Sequence, residues 1–340
     1  MRAAENYFKE LTLARGIAIL LAILGNSITT TPVDMKVTGG LLLLHNYIYS
    51  FHMHLFFVVS GCCLGLAKQE RYIRMVEKKI SRLLIPYLLF SLLFFCRYMF
   101  FDPYHLMPEI WSYIILILLK GGEYWFIFVL FLFFIIYPVA SFPAGKIGSV
   151  CNIFLLLLFA YFCRVFFSES LINHDAFYFL VYLAYFLSGY FVAPFVSSWL
   201  RNKQRMPPIV FFGAMLLFLL LGRLDLRSHD VPAIIIIFTP FFGIVLAMGM
   251  AQFLAHTGFA KFFLWLGKWS LQLYLVEALI AVFVMYFYYD VMSVRHSLPL
   301  MLLFFLSKMI ICYLLLEFGI GRLLILHKFC GVIRRKEAAM

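Results

Sequence analysis

Apolar runs of about 20 residues, each long enough to cross a bilayer, recur along the chain and constrain its fold more than any other feature. Within lipid, only helices and closed barrels can satisfy the backbone hydrogen bonds. The chain is 65% hydrophobic and 13% charged, whereas soluble domains average roughly 45–50% and about 25%. The pattern predicts an all-α, polytopic membrane helical bundle of about ten transmembrane helices, with a single domain over residues 1–340. The runs lie near residues 10–31, 41–66, 83–101, 124–140, 149–167, 176–196, 208–222, 232–254, 269–289 and 298–326.

A weaker apolar run extends from Ile110 to Leu119. It is short, and it follows Asp102, Pro103, Pro108 and Glu109. A run of this length and context is typical of an interfacial or re-entrant helix, so we do not count it as an eleventh span.

The basic residues predict the orientation of the chain. With an even number of spans, one side of the membrane carries the segments 68–82, 201–205 and 334–336 together with Lys261 and Lys268, whereas the opposite loops carry few cations. The positive-inside rule places both termini in the cytoplasm of a multi-pass protein of the cytoplasmic membrane. The net charge of +12 is then explained by cytoplasmic loops, and we expect no nucleic-acid partner.

The first apolar run contains two polar residues that a membrane helix would normally exclude. Arg15 and Asn26 are eleven residues apart, which places them within about 20° of each other around a helix and roughly 16 Å apart along its axis. One face of this helix is therefore predicted to carry polar groups through about half of a bilayer.

Three histidines occupy the second run. His45 and His52 are seven residues apart, so they share one helix face with Tyr49, whereas His54 points roughly the other way. Each could be a hydrogen-bonded core residue, but two on one face favour a polar cavity. Neutral imidazole is also the side chain best suited to proton transfer near neutral pH.

Two further ionisable residues lie deep in consecutive runs near the C-terminal end. Glu277 lies roughly 12 Å from the inner edge of its run, and Lys308 roughly 15 Å from the outer edge of the next. These similar depths favour an ion pair inside the bundle, although each residue could instead face a separate wet cavity. A paired glutamate would stay ionised and would be a poor general acid, whereas an unpaired one could act as acid or base.

Five segments of the chain resemble the motifs of a known family. In chain order they are "ARGIAILLAILGNS" (14–27), "FHMHLFFVVSG" (51–61), "KKISRLLIPYLLFS" (78–91), "EYWFIFVLFLFF" (123–134) and "LGKWSLQLYLVEALI" (266–280). They are similar to motifs of the acyltransferase-3 family of integral-membrane acyltransferases, especially its stand-alone sugar and polysaccharide O-acetyltransferase branch. The family motifs are Arg or Lys, ten residues and His; Phe-His-Met-Pro-Leu-Phe-Phe followed by Ser-Gly; a basic segment; a Trp-Phe-Leu span; and Gly-x-x-Ser-Leu-x-x-Tyr-Leu. The resemblance covers nearly the whole chain.

The chain departs from these motifs at two positions. Asn26 replaces the first-span histidine, which the family is thought to use as catalytic base or acyl relay, and Glu277 stands where the late motif usually has histidine. An asparagine amide has no accessible proton equilibrium and is a poor nucleophile, but it can hold a hydroxyl or a carbonyl oxygen by a hydrogen bond.

The resemblance implies transfer of an acyl group, with acetyl expected, from cytoplasmic acyl-CoA to a hydroxyl of a cell-envelope glycan or lipid-linked sugar. No metal is expected, because the seven cysteines show no metal-ligand spacing. We assign catalysis to His52, Glu277 and Asn26, coenzyme A binding to Arg15 and Arg82, and substrate binding to His45 and Trp125.

Two alternatives remain open from the sequence. A catalytically degenerate family member would bind acyl-CoA or a glycan without transferring the acyl group, and the missing first-span histidine favours that hypothesis. An exporter of a glycan intermediate would also place ionisable residues at the midplane, but the sequence shows no inverted repeat.

Overall fold

The computed structural model describes residues 2–29, 39–67, 71–101, 114–115, 117, 121–140, 146–166, 171–201, 205–224, 231–288 and 298–320. The described residues are almost entirely helical and contain no strand, which confirms the predicted all-α, polytopic membrane bundle. The helices are α1 (Arg2–Thr29), α2 (Gly39–Leu66), α3 (Tyr72–Lys79), α4 (Ile85–Phe101), α5 (Trp125–Ala140), α6 (Lys146–Phe166), α7 (Leu171–Arg201), α8 (Pro208–Leu221), α9 (Ala233–Leu254), α10 (Ala260–Lys268), α11 (Ser270–Tyr286) and α12 (Leu298–Leu314).

The helices coincide with the apolar runs of the sequence. Among the described residues, seven helical segments are long and apolar enough to cross a membrane, and helices α10 and α11 together form an eighth candidate, bent by 75°. Two shorter apolar helices, Val150–Val165 and Pro208–Leu221, account for the remaining predicted runs. The tail that carries "RRK" (334–336) lies outside the described residues, and the cytoplasmic position of the termini stays a prediction.

Two compact units divide the chain. The first contains residues 1–28, 36–68 and 136–270, and the second contains residues 29–35, 69–135 and 271–340. The first unit therefore holds α1, α2 and α6 to α10, and the second holds α3, α4, α11, α12 and most of α5. The prediction of a single domain over 1–340 stays a prediction.

Helices α2 and α7 of the first unit run parallel at very short distance. A Cβ atom at Gly189 would collide with the carbonyl oxygen of Val58, and seven residues further along α2 the nearest neighbours of Gly65 include Ala193. Because a membrane chain reverses direction at each crossing, two parallel spans need an odd number of crossings between them. Helices α4, α5 and α6 provide three crossings. This odd number agrees with the prediction that the run from Ile110 to Leu119 does not cross the membrane. Only three residues of that run are among those described.

We expect Gly189→Ala to destabilise the protein, because the added methyl group meets the rigid backbone of α2. Overpacking of this kind costs about 1–3 kcal/mol in the free energy of unfolding. Gly213→Ala is the matched control: no atom of the described residues lies within 4 Å of a Cβ atom at that position, and alanine favours a helix by up to about 1 kcal/mol. Thermal unfolding midpoints in detergent test both variants, and equal midpoints would contradict the close α2–α7 packing.

Helix α1 is held in the first unit by contacts at its N-terminal half. The Lys9 ammonium donates a hydrogen bond to the carbonyl oxygen of Ala255, at 2.9 Å. Gly16 packs on the backbone of Phe263, and Gly267 packs on the backbone of Thr12, so that α1 and α10 approach without intervening side chains. These contacts fix the axial position of α1, which carries Arg15 and Asn26.

The basic segment 68–82, which we predicted as a loop, is helical from Tyr72 onward. Helix α3 continues through a π-helical turn, Ile80–Leu84, directly into α4. The sequence supplies the physical reason. Pro86 has no N–H group to donate to the carbonyl of Arg82, and its ring crowds that carbonyl, so a wider turn relieves the conflict without ending the helix.

Candidate active site

Asn26 of α1 contacts Tyr49 of α2 in the first unit. The Tyr49 hydroxyl donates a hydrogen bond to Oδ1 of Asn26, at 2.7 Å. Gly25 makes this approach possible, because a Cβ atom there would lie 2.6 Å from the Tyr49 ring. The bond occupies the amide oxygen and thereby sets the direction of the amide group, whose nitrogen is a donor.

His45, Tyr49 and His52 form a continuous aromatic stack along α2. The His45 and Tyr49 rings are stacked with centroids 4.0 Å apart, and the Tyr49 and His52 rings meet edge to face at 4.9 Å. Both histidines are buried, with 7% and 3% of their surface exposed. The prediction that these three residues share one face of the helix is confirmed, and Tyr49 links both histidines to Asn26.

The hydrogen bond of His52 determines its tautomer. Nδ1 lies 2.8 Å from the carbonyl oxygen of Ile48, one turn earlier in the helix. A carbonyl oxygen can only accept, so Nδ1 carries the proton in the neutral ring and Nε2 carries the lone pair. Nε2 is therefore the nitrogen that can act as a base.

His54 lies on the opposite side of α2, as the sequence predicted. Its ring packs against Tyr182 and Tyr185 of α7, with centroids 4.7 Å and 4.9 Å away. His54 is as buried as His52, at 3% exposed, but its contacts differ from those of the stack. It is therefore a natural control for experiments on His52.

The side chains of Arg15 and Asn26 both contact α2. The two residues therefore share one face of α1, as predicted. Nη2 of Arg15 lies 3.9 Å from Sγ of Cys63, near the end of α2. The Nε atom of Arg15 is buried and has no hydrogen-bond partner among the residues that the structure describes. Arg15 is a second polar position, separated by roughly three turns of helix from the stack around His52.

Glu277 and Lys308 form a buried ion pair in the second unit. The Lys308 ammonium lies 2.5 Å from Oε1 of Glu277, and the two side chains are 0% and 1% exposed. The ammonium also lies 4.8 Å from the centroid of the Phe304 ring, which favours a cation. The pairing inferred from their similar depths is confirmed.

Trp125 begins α5 after a tight turn. Gly121 has a φ of 81° and Gly122 a φ of 51°, backbone conformations that glycine adopts at least cost. The adjacent Tyr124 hydroxyl donates to the carbonyl oxygen of Leu275, at 3.1 Å, and the Tyr274 hydroxyl donates to that of Glu123, at 3.3 Å. These reciprocal bonds join the start of α5 to α11.

Arg82 lies in the π-helical turn between α3 and α4 and is half-buried. Turns of this kind are frequent at functional sites. Lys79, one residue before the turn, places its ammonium 3.5 Å from the centroid of the Phe134 ring. The segment thus has cations directed into the second unit as well as cations directed outward.

Sequence reasoning did not identify several contacts that shape these clusters. These are the Tyr49–Asn26 bond, the Arg15–Cys63 contact and the crossed bonds of Tyr124 and Tyr274, all between residues far apart in the chain. The only signal was that Arg15, Asn26, Tyr124 and Tyr274 stand in matched motifs. Among the described residues, no group of three or more His, Cys, Asp or Glu side chains could hold a metal ion.

Comparison with known proteins gives a family match. The family model Acyl_transf_3, described as an acyltransferase domain, matches residues 8–317. The matched region contains all five motif segments and every residue of the clusters described above. Neither a curated protein nor a solved structure matches the chain.

Proposed function

Because the chain belongs to the acyltransferase-3 family, we propose that it transfers an acyl group, in the simplest case acetyl, from acyl-CoA to a hydroxyl of a cell-envelope glycan or lipid-linked sugar. The cytoplasmic membrane is its proposed location, with acyl-CoA entering from the cytoplasm. The observation that supports the proposal is the buried His52 ring, whose Nδ1 is bonded to a backbone carbonyl, so that in the neutral ring Nδ1 carries the proton and Nε2 carries the basic lone pair.

The proposed reaction is a direct transfer with His52 as general base. The acceptor hydroxyl oxygen attacks the thioester carbonyl carbon, and its proton moves to Nε2 of His52. The tetrahedral intermediate then breaks its carbon–sulfur bond, and the departing coenzyme A thiolate receives that proton. The products are an ester and free coenzyme A, and His52 returns to its neutral form.

Asn26 is the proposed donor to the oxyanion. Its Oδ1 accepts a hydrogen bond from Tyr49, so the Nδ2 group, which can only donate, points away from the Tyr49 hydroxyl. A donor fixed in advance near the developing negative charge lowers the barrier, and removal of one such donor typically costs about 10²–10³-fold in kcat.

Arg15 and Arg82 are the proposed contacts for coenzyme A. Coenzyme A carries several negative phosphate charges, and guanidinium groups bind phosphate with paired hydrogen bonds. The buried Nε atom of Arg15, which has no partner among the described residues, supports this assignment. Arg82 is supported by its half-buried position in a π-helical turn.

His45 of the first unit and Trp125 and Glu277 of the second unit are the other residues to which we assign roles. The first two would contact the acceptor, since aromatic rings provide apolar faces for sugar rings. Glu277 would act as a positioning residue, because its ion pair with Lys308 holds the carboxylate in place.

A membrane-fraction assay with radiolabelled acetyl-CoA tests the proposal. Label that enters envelope glycan supports acyl transfer, whereas glycan movement without incorporation of label would support an exporter. The assay also addresses the second candidate, a degenerate member that only binds, which is favoured by the presence of an amide at position 26. For that candidate, acyl-CoA would bind to the purified protein but no label would be transferred.

Asn26→His should raise acyl transfer or coenzyme A hydrolysis, by up to about 10²-fold if the introduced ring acts as a general acid. The Nδ1 atom of the new ring can replace Oδ1 as acceptor from Tyr49, so the neutral ring carries its proton on Nε2. That N–H group can replace the amide donor and can also pass a proton to the departing thiolate. Asn26→Gln is the control without a titratable group. No increase in a folded Asn26→His variant that still binds acyl-CoA would favour the degenerate member.

A further inference from the structure

Helix α3 has one face directed into the second unit. The Tyr72 hydroxyl donates a hydrogen bond to the carbonyl oxygen of Ile135, at 2.8 Å, and Met75 is buried. Lys79 continues this face, with its ammonium over the Phe134 ring. These contacts fix the rotation of α3 about its axis and therefore determine which residues point outward.

A second face of α3 is apolar and exposed. Ile73 is 72% exposed and Ile80 is 37% exposed. They are seven residues apart, which places them on one stripe of the helix. Exposed isoleucines in a membrane protein indicate a face that meets lipid.

A third face carries exposed cations. Arg71, Arg74 and Lys78 are all exposed. Arg74 and Lys78 are four residues apart and so lie on one side of α3, and Arg71 is the residue directly before the helix. This stripe lies roughly 140° around the axis from Ile73. Helix α3 therefore carries an apolar stripe and a cationic stripe on different sides, as helices at the level of the lipid headgroups do.

The length of the segment places this face outside the hydrocarbon core. Helix α3, the π-helical turn and α4 form one apolar helical segment of 26 residues, Tyr72–Arg97. At 1.5 Å per residue, such a segment is about 39 Å long, whereas the core is about 30 Å thick. If the α4 end fills the core, the first two turns lie at the level of the lipid headgroups.

We propose that Arg71, Arg74 and Lys78 bind the phosphate groups of anionic lipids on the predicted cytoplasmic side. The basic segment is thereby divided by function: this outward stripe holds lipid, and Arg82 is left for coenzyme A. Glu77 is also exposed and offsets part of the charge, but three exposed cations exceed it. The lipid surface is independent of the acyl-transfer reaction.

The test compares lipid binding by the full-length protein and by the double variant Arg74→Gln/Lys78→Gln. Native mass spectrometry of detergent-purified protein, titrated with phosphatidylglycerol or phosphatidylcholine, measures the affinity for each lipid. The wild type should prefer phosphatidylglycerol, and loss of two cations should weaken that binding by about 30-fold. Arg74→Lys/Lys78→Arg keeps both charges and should retain the preference.

The matched control is Arg205→Gln/Lys261→Gln, which removes two exposed cations from the same predicted side but not from α3. Equal weakening in this control would overturn the proposal, as would unchanged phosphatidylglycerol binding in the α3 variant. Coenzyme A affinity is measured in parallel on the same proteins. If the α3 variant loses coenzyme A affinity but keeps phosphatidylglycerol binding, the cations belong to the coenzyme A site and the proposal is wrong.

Discussion

Replacing His52 with alanine should lower the turnover of acyl transfer by about 10²–10⁴-fold, which is the usual contribution of a general base. The ring is buried, and its bond to the Ile48 carbonyl assigns the proton to Nδ1 and the lone pair to Nε2, which is the proposed recipient of the acceptor proton. Acyl-CoA affinity should change little, because the proposed contacts for coenzyme A are Arg15 and Arg82. The measurement is initial rate per folded molecule, together with the dissociation constant of acyl-CoA.

His52→Gln distinguishes proton transfer from a polar contact. Glutamine has a similar reach and can still bond to the Ile48 carbonyl, but it has no proton equilibrium near neutral pH. Its turnover should therefore be nearly as low as that of the alanine variant. Near-normal turnover of His52→Gln would show that another group is the base.

His54→Gln is the matched control, because it alters an equally buried histidine two residues away on the opposite face of α2. It disturbs the contacts with Tyr182 and Tyr185 and should lower the unfolding midpoint, while turnover per folded molecule stays close to that of the wild type. If His52→Gln and His54→Gln show the same modest changes, His52 is a core residue and not the base.

Glu277→Gln should lower the yield of folded protein strongly. The substitution leaves the Lys308 ammonium buried without its carboxylate, and removal of one partner of a buried pair costs about 3–5 kcal/mol in the free energy of unfolding. The Phe304 ring nearby compensates only in part, because cation–π contacts contribute about 0.5–2 kcal/mol. Size-exclusion profiles and thermal unfolding midpoints in detergent report the loss.

Combining Glu277→Gln with Lys308→Met should recover much of that yield, since neither charge is then buried. Methionine has a length similar to that of lysine and no charge, so the packing around α12 is largely kept. The two single variants and the double variant form a thermodynamic cycle. Additive losses in the double variant would show that the two residues do not stabilise each other.

The apolar runs alone determined the helical architecture. A backbone in lipid has no water with which to form hydrogen bonds, so an apolar run of spanning length has almost no alternative to a helix. The same reasoning predicted the Glu277–Lys308 pair, because an unpaired charge at that depth is costly. Helical periodicity placed His45 and His52 on one face with Tyr49, since that relation is contained within a single helix.

Contacts between helices were decided by the tertiary structure alone. Lipid tails are as apolar as leucine, so hydropathy does not specify which helices become neighbours, and the packing of α2 on α7 could not be read from it. The Tyr49 bond to Asn26 and the contact of Arg15 with Cys63 depend on the rotation and axial position of α1 against α2. The outward direction of Arg74 likewise follows from how Tyr72 and Lys79 pack, because a basic segment has no preferred face until one side of its helix is covered.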